Sequence, residues 1–291
     1  MTYYEALKAA VDRLEKAGVP DSDNDAELML ESATGRNWAR LLLAREEKMP
    51  EEEYERFEAL VARRLKREPL QHILGVWEFM GFDFYCTGDC LIPRQDTELL
   101  VMTAQEAVEK MFREEQTALK VLDLCTGSGC VIISLKRLCG EKIEALGTDI
   151  SDPALNVARR NAELNGVRVE FRQSDMYDNT GETEFDVITA NPPYIETETI
   201  YGLNPEITEY EPWIALDGGA DGLKHYRSII AGAGKHLKAG GRIMMEIGDT
   251  QGRAVSELLE NAGYEAVEVL RDLAGLDRVV CGTRSLRQDG L

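Results

Sequence analysis

Through the first 75 residues, apolar side chains recur every three to four positions, the period of a helix with one buried face. Tyr4, Ala6, Leu7, Val11 and Leu14 line one such face, with Thr2 placed to cap the helix and Gly18-Val19-Pro20 to end it. Residues 21–25 can cap a second helix carrying Ala26, Leu28, Met29 and Leu30, and Trp38–Leu43 is a third run. Pro50 occupies a first-turn position before Tyr54, Phe57, Leu60, Val61 and Leu65, and Pro69 ends the series. Beyond it, Val76–Phe79 and Phe82–Tyr85 flank Met80-Gly81 and predict an aromatic-rich hairpin.

From Leu99 the pattern alternates between two periods. Apolar strands are predicted at 120–124, 143–148, 168–172, 185–190, 241–247, 264–269 and 278–282, with helices at 99–111, 131–138, 153–165, 223–237 and 253–262. That alternation predicts an α/β fold: a doubly wound, mostly parallel seven-stranded sheet with helices on both faces. The last two strands, joined through 272–277 without a helix, form a hairpin in which one strand runs antiparallel. The domain reading is therefore a helical bundle over 1–75, a hairpin linker over 76–93 and the sheet domain over 94–291. Residues 286–291 read as a loose tail.

Composition narrows the function. The 291 residues, 44% apolar and 30% charged, suit a globular protein of one large or two ordinary domains. Acids outnumber bases 53 to 33, a formal net charge of −20, which argues against a phosphate backbone as main partner. No basic stretch precedes an apolar run at the start, and no apolar stretch reaches membrane-spanning length, so a cytoplasmic protein without membrane contact is expected. The six cysteines match neither a zinc pattern nor a disulfide scaffold. Buried free thiols, a reducing compartment and no bound metal are expected. No role is assigned to His72, His225 or His236, and nothing demands more than a monomer.

Three features of the sheet domain carry chemistry. Asp123-Leu124-Cys125-Thr126-Gly127-Ser128-Gly129 ends one strand and opens a helix, with glycines that permit a tight turn and close backbone approach to a ligand. Ile132 stands where a dinucleotide fingerprint wants a third glycine, so a plain strand-to-helix turn also fits. Asp149, at the end of the next strand, can accept both hydroxyls of a ribose, since Ser151 and Asp152 before Pro153 already supply a helix cap. Asp175 and Met176 after the third strand could then meet an adenine, the carboxylate at its amine and the thioether on its ring.

Asn191-Pro192-Pro193-Tyr194 follows the strand at 185–190, at the carboxyl end where ligands sit in open α/β sheets. Two prolines could simply terminate the strand. Chemistry offers a sharper reading. An amide nitrogen is a poor nucleophile because its lone pair is delocalised, and a site that methylates it must hold the NH2 group with acceptors. The Asn191 side-chain oxygen and the Pro192 carbonyl are two such acceptors on a stiffened backbone, and Tyr194 can meet the planar group from its face.

Taken together, the Gly-x-Gly turn, the ribose acid and Asn-Pro-Pro-Tyr resemble a class I S-adenosylmethionine-dependent methyltransferase acting on a planar nitrogen. Over nearly its whole length the chain is similar to the HemK-type release-factor glutamine methyltransferases. The matching segments are Glu68–Gly75, Phe79–Phe82, Leu91–Arg94 with Asp96-Thr97-Glu98, and Glu211-Pro212 followed by 215–223. Gln95 replaces a usual proline, and Cys125 and Ser128 replace residues that are often Gly and Thr. The resemblance implies that Cys125, Thr126, Gly127, Ser128 and Gly129 wrap the methionine portion of S-adenosylmethionine, Asp149 the ribose, and Asp175 with Met176 the adenine. It further implies that Asn191, Pro192, Pro193 and Tyr194 clasp the glutamine of the Gly-Gly-Gln loop of release factors, with S-adenosylhomocysteine as product and the N-terminal bundle as docking element. No general base is required, because the methylated nitrogen becomes acidic enough to lose its proton to water.

Two rivals share the tetrapeptide: glutamine methylation of a large-subunit ribosomal protein, and N6-adenine methylation of DNA or RNA. Charge weighs against nucleic acid. No Lys or Arg lies between Arg172 and Lys224, while residues 178–217 carry ten acids. A binding protein that senses a nucleoside is a third reading, but it has no use for paired amide acceptors beside its pocket.

Overall fold

Thr2 opens the first helix through a reciprocal capping box: its hydroxyl accepts the Glu5 N–H at 3.2 Å, and the Glu5 carboxylate accepts the Thr2 N–H at 2.9 Å. In the computed structural model, which describes residues 1–181 and 184–286, this is helix α1 (Tyr3–Lys16). It is followed by α2 (Ser22–Thr34), α3 (Trp38–Leu43), α4 (Glu51–Arg64) and α5 (Leu70–Leu74). Two prolines differ from expectation. Pro50 is the N-cap of α4, just outside the helix, and Pro69 caps α5 instead of ending the helical series. Both sit where the missing N–H removes no helical hydrogen bond.

The chain divides into two compact units. The first contains Met1–Val76 together with Asn204–Tyr210. Its core is built on Leu14, Met29, Leu30 and Phe57, all essentially inaccessible to solvent. Within it, Arg64 donates to Asp25 at 2.6 Å, and Arg64 and Arg67 both bind the Glu206 carboxylate at 2.9 and 2.6 Å. The return segment is thus held by ion pairs, which leave no hydrophobic period for sequence reading to detect.

The second unit contains Trp77–Leu203 and Glu211–Leu291. The expected hairpin is β1 (Val76–Phe79) and β2 (Phe82–Tyr85), with Phe79 and Phe84 packed edge to face. Then come α6 (Glu98–Glu115), β3 (Leu119–Leu124), α7 (Cys130–Cys139), β4 (Ile143–Asp149), α8 (Asp152–Leu164), β5 (Glu170–Gln173) and β6 (Phe185–Ala190). After the short helix α9 (Thr197–Ile200), and with α10 (Pro205–Thr208) lying in the return segment of the first unit, follow α11 (Lys224–His236), β7 (Leu237–Glu246), α12 (Gly252–Asn261), β8 (Tyr264–Arg271) and β9 (Asp277–Arg284). The sheet order is β5-β4-β3-β6-β7-β9-β8, parallel except for β9, which runs antiparallel to both neighbours. This is the seven-stranded doubly wound arrangement expected from the sequence.

Alternation along β3 splits the core. Val121 joins the layer containing Phe84, Ile132 and Leu135, whereas Leu122 and Leu124 join that containing Ile188, Tyr226 and Ile229. Boundaries shift where pairing overrides pattern. β5 covers only the four residues that pair with β4, and β7 begins at Leu237 because that residue already pairs with Phe185 across a bulge. Cys86, Cys90, Cys139 and Cys281 are buried free thiols, while Cys125 and Cys130 are half-buried. Among the described residues, no helix is long and apolar enough to cross a membrane. Of the expected tail, residues 287–291 lie outside the described residues.

Candidate active site

Register brings the chemistry-bearing loops to one edge. Leu124 pairs with Thr148 and with Ala190, and Ala190 pairs with Met245, so β3, β4, β6 and β7 end level. The segments that follow each strand therefore meet at the carboxyl edge of a parallel sheet, the usual place for a ligand.

The loop after β3 is tightly wound. Cys125, Gly127 and Gly129 all have left-handed backbone, with φ of 54°, 54° and 79°. A Cβ on Gly129 would fall 2.7 Å from the Ile133 Cδ1, so this position demands glycine. Thr126 donates its hydroxyl to Asp123 at 2.6 Å, and the Gly127 N–H donates to the Asp149 Oδ2 at 2.8 Å. Fully buried Asn161, on α8, donates to the Ser128 carbonyl at 2.9 Å and accepts from the Tyr85 N–H at 2.7 Å. The loop is thus tied both to the next strand and to the hairpin.

Asp149 accepts the Ser151 N–H on Oδ1 at 2.9 Å and the Gly127 N–H on Oδ2, leaving each oxygen further acceptor capacity. Burial raises its pKa, and these backbone donors oppose that rise. Ser151 caps α8 through its hydroxyl on the Ala154 N–H at 3.2 Å, as expected. The Asp175-Met176 turn is fixed by Ser174, whose N–H donates to the Asp149 carbonyl at 2.9 Å and whose hydroxyl donates to the Met176 carbonyl at 2.9 Å.

These segments enclose a cavity of about 410 Å³. Its wall includes Cys125, Thr126, Gly127, Ser128, Asp149, Asp175, Met176, Asn191 and Pro193. Gly129, Pro192 and Tyr194 are not among the lining residues: Gly129 is the N-cap of α7, Pro192 is buried, and Tyr194 packs on the second core layer. The Tyr194 hydroxyl donates to the Glu246 Oε1 at 3.4 Å, and burial pushes its pKa well up. The Asn191 Nδ2 donates to the Thr97 Oγ1 at 3.2 Å. Among the described residues, five aspartates line the cavity against one Arg and one Lys, Arg94 and Lys224, so the wall favours a cationic ligand.

Two buried acids underlie the site. Burial lifts the Asp123 carboxyl to about 7 against the opposing hydroxyls of Thr126 and Thr189. Burial likewise lifts Glu246 to about 7, with Asp96 adding to the rise and Thr97, Arg278 and Tyr194 opposing it. Glu246 follows Met245 at the end of β7, beside the start of the Asn191 segment.

Sequence reasoning did not single out Thr97, Asn161, Glu211 or Glu246. Thr97 and Glu211 lay inside the quoted matching segments without a role. Glu211 accepts from the Ile92 N–H at 3.1 Å and from Arg94 at 2.6 Å, joining two of those segments. His225, expected to be a packing or surface residue, lines the cavity, with Nε2 3.1 Å from the Asp217 carbonyl. His236 is a packing residue, stacked on Tyr177 at 4.6 Å.

Residues 5–75 match the model of the PrmC N-terminal domain, and residues 97–208 that of the methyltransferase small domain. The release factor glutamine methyltransferase of Geobacter sulfurreducens is 39% identical over 92% of this chain and 92% of its own length. That of Cereibacter sphaeroides is 43% identical over 95% of this chain and 96% of its own. Among solved structures, the hMettl16 catalytic domain in complex with MAT2A 3'UTR hairpin 6 shares the fold, with a TM-score of 0.54 at 17% identity, covering 79% of this chain and 83% of that one. The likeness to solved structures concerns the fold alone, whereas identity of this order along nearly the full length of curated relatives decides the family. The chain belongs to the release factor glutamine methyltransferases.

Proposed function

We propose that this protein transfers a methyl group from S-adenosylmethionine to the side-chain amide nitrogen of the glutamine in the Gly-Gly-Gln loop of peptide chain release factors. The observation that carries the reading is that Asn191 opens onto the same cavity as Gly127 and Asp149. An amide acceptor and a nucleoside-type pocket on one cavity suit methyl transfer to a planar nitrogen.

The residues present fit the cofactor. Asp149 keeps acceptor capacity on both oxygens for a ribose diol, Met176 and Asp175 flank the space for an adenine, and the aspartate-lined wall suits a sulfonium cation. Cys125 to Gly129 supply the turn around the methionine portion. The bound cofactor supplies an electrophilic methyl group. The protein's task is then positional: the Asn191 Oδ1 and the Pro192 carbonyl accept the two N–H groups of the substrate amide, aiming its nitrogen at the methyl carbon. Tyr194 supports this segment from behind. Methylation would leave the substrate nitrogen cationic and acidic enough to give its proton to water, with S-adenosylhomocysteine as the leaving product, so no His is needed as base. Residues 1–75 serve as the docking element for the release factor, and the reaction belongs to the cytoplasm.

The rivals fare worse. The absence of Lys and Arg from 173–223 disfavours a polyanion at this mouth, and the names carried by close relatives favour release factors over a ribosomal protein. Incubating the protein with methyl-labelled cofactor and, separately, a release factor, total RNA and duplex DNA tests the reading. Label is expected in the release factor alone; label in nucleic acid and none in the release factor would overturn it.

A further inference from the structure

Downstream of Asn191 the main chain is gripped by a side chain from a helix start far along the sequence. Gln251 is the N-cap residue of α12, yet its side chain does not cap that helix. Its Nε2 donates to the Tyr194 carbonyl at 3.0 Å and to the Gly222 carbonyl at 3.3 Å, while its Oε1 accepts the Gly248 N–H at 2.9 Å. All three partners are main-chain groups, whose donor and acceptor roles are fixed, so the amide has one orientation. Turned over, it would set an oxygen against two carbonyls and an NH2 against an N–H.

The seat of Tyr194 is close on the glycine side. A Cβ on Gly218 would fall 2.7 Å from the Tyr194 Cα and carbonyl carbon, and one on Gly222 would fall 2.5 Å from the Tyr194 oxygen. Both contacts are with main chain, which cannot swing aside as a side chain can. The next residue is held as well: the Ile195 N–H donates to the Leu216 carbonyl at 3.0 Å, and the Gly218 N–H donates to the Ile195 carbonyl at 2.8 Å. At its other end the segment leaves β6 through Ala190, which is paired with Leu124 and Met245. Between these ends Pro192 and Pro193 fix two φ angles and leave ψ free. Aiming the Asn191 oxygen and the Pro192 carbonyl therefore needs an anchor on both sides, and Gln251 with the two glycines supplies the second.

We propose that Gln251 is a positioning residue for the amide clasp: it holds the Tyr194 carbonyl in a seat kept open by Gly218 and Gly222, and so sets the direction of the acceptors at Asn191 and Pro192. This rests on the reading of those two groups as acceptors for a substrate amide. Gly218 and Gly222, inside the matching 215–223 segment, and Gln251, outside every such segment, thereby share one task.

The test combines kinetics and NMR on the full chain, with two substitutions that reach Tyr194 by different routes. Gln251→Met keeps an unbranched side chain of similar length and removes the donors. In steady-state methyl transfer to a release factor it is expected to lower kcat about 100-fold, the order reached when a reacting group is misplaced. Gly218→Ala, at a φ outside the left-handed region, displaces Tyr194 by contact alone and is expected to lower kcat at least about tenfold. KM for the release factor and Kd for S-adenosylmethionine stay within about twofold, since the lost bonds direct the reacting group and do not bind either ligand. A brace that served stability alone would weaken cofactor binding together with the rate. Both changes act through one carbonyl, so the double variant loses no more than the worse single one. Should one variant fail to fold, the other decides. Wild-type kcat in a folded variant, a loss of rate carried by KM or by cofactor Kd, or losses that multiply in the double variant would overturn the proposal.

If the wild-type protein methylates no release factor, the functional reading fails, and the brace is still decided by NMR. The Gln251 NH2 resonances of 15N-labelled protein, assigned by their loss in Gln251→Met, are expected to exchange with solvent more slowly than those of exposed Gln116. The Ile195 N–H is expected to exchange faster in Gln251→Met than in the wild type. Equal exchange in either comparison would show that Gln251 does not hold the segment.

Discussion

Asp149 concentrates the demands of the site in one carboxylate, fixed by two backbone donors and turned to the cavity with acceptor capacity in reserve. Asp149→Ala removes charge-assisted hydrogen bonds of about 1.5–3 kcal/mol each, and is expected to raise the Kd for S-adenosylmethionine at least roughly tenfold by calorimetry. An unchanged Kd would contradict the ribose assignment. Asp123 is a different kind of acid. Burial holds its folded-state pKa at about 7, whereas an unfolded aspartate titrates near 4. Between those values the folded state binds more protons than the unfolded one, so this group's contribution to stability falls as pH rises. Asp123→Asn abolishes that titration. Urea unfolding of both proteins is therefore expected to show the variant gaining stability relative to the wild type from pH 5 to pH 8; a constant difference would refute the assignment.

At the scale of elements, the strand–turn–helix unit of β3 and α7 is where sequence and structure agree most closely. Gly127 and Gly129 announce a turn, and both adopt the left-handed backbone that glycine permits. Gly129→Ala combines φ of 79° with a 2.7 Å approach to Ile133, and is expected to cost about 1–3 kcal/mol, seen as a lowered Tm. A Tm equal to that of the wild type would mean the turn relaxes freely. The hairpin of β1 and β2 was legible for the same reason, since its signal is contained in ten adjacent residues. α9 and α10 were not, because four residues complete barely one helical turn and show no period. Thr97 and Glu246 escaped for another cause. Thr97 meets Asn191 across 94 positions, and Tyr194 meets Glu246 across 52, and no local pattern encodes such pairings. Glu246 reads in sequence as the polar end of an apolar strand; only the register of β6 with β7 brings it to the Asn191 segment.

Over the whole molecule, charge is unevenly shared. Residues 1–75 hold 16 acids and 12 bases, so most of the net −20 belongs to the remainder, including the stretch around Asn191. Such a surface admits a protein loop more readily than a bare polyanion. In the first unit, charge is used structurally: Glu206 joins Arg64 and Arg67 although 142 and 139 positions separate them. Glu206→Ala strands these donors and is expected to lower stability by about 1–3 kcal/mol in urea unfolding, Asp25 still pairing Arg64. A loss below the error of the measurement would show that water replaces the carboxylate without cost. Whether Asn191 holds a glutamine amide of a release factor beside the methyl donor is decided by tryptic mass spectrometry of a release factor incubated with S-adenosylmethionine and either wild-type or Asn191→Ala protein. One added methyl group is expected on the Gly-Gly-Gln glutamine with the wild type and almost none with the variant, while the variant's cofactor Kd stays close to wild type. Methylation at another residue, or equal methylation by both proteins, would contradict it.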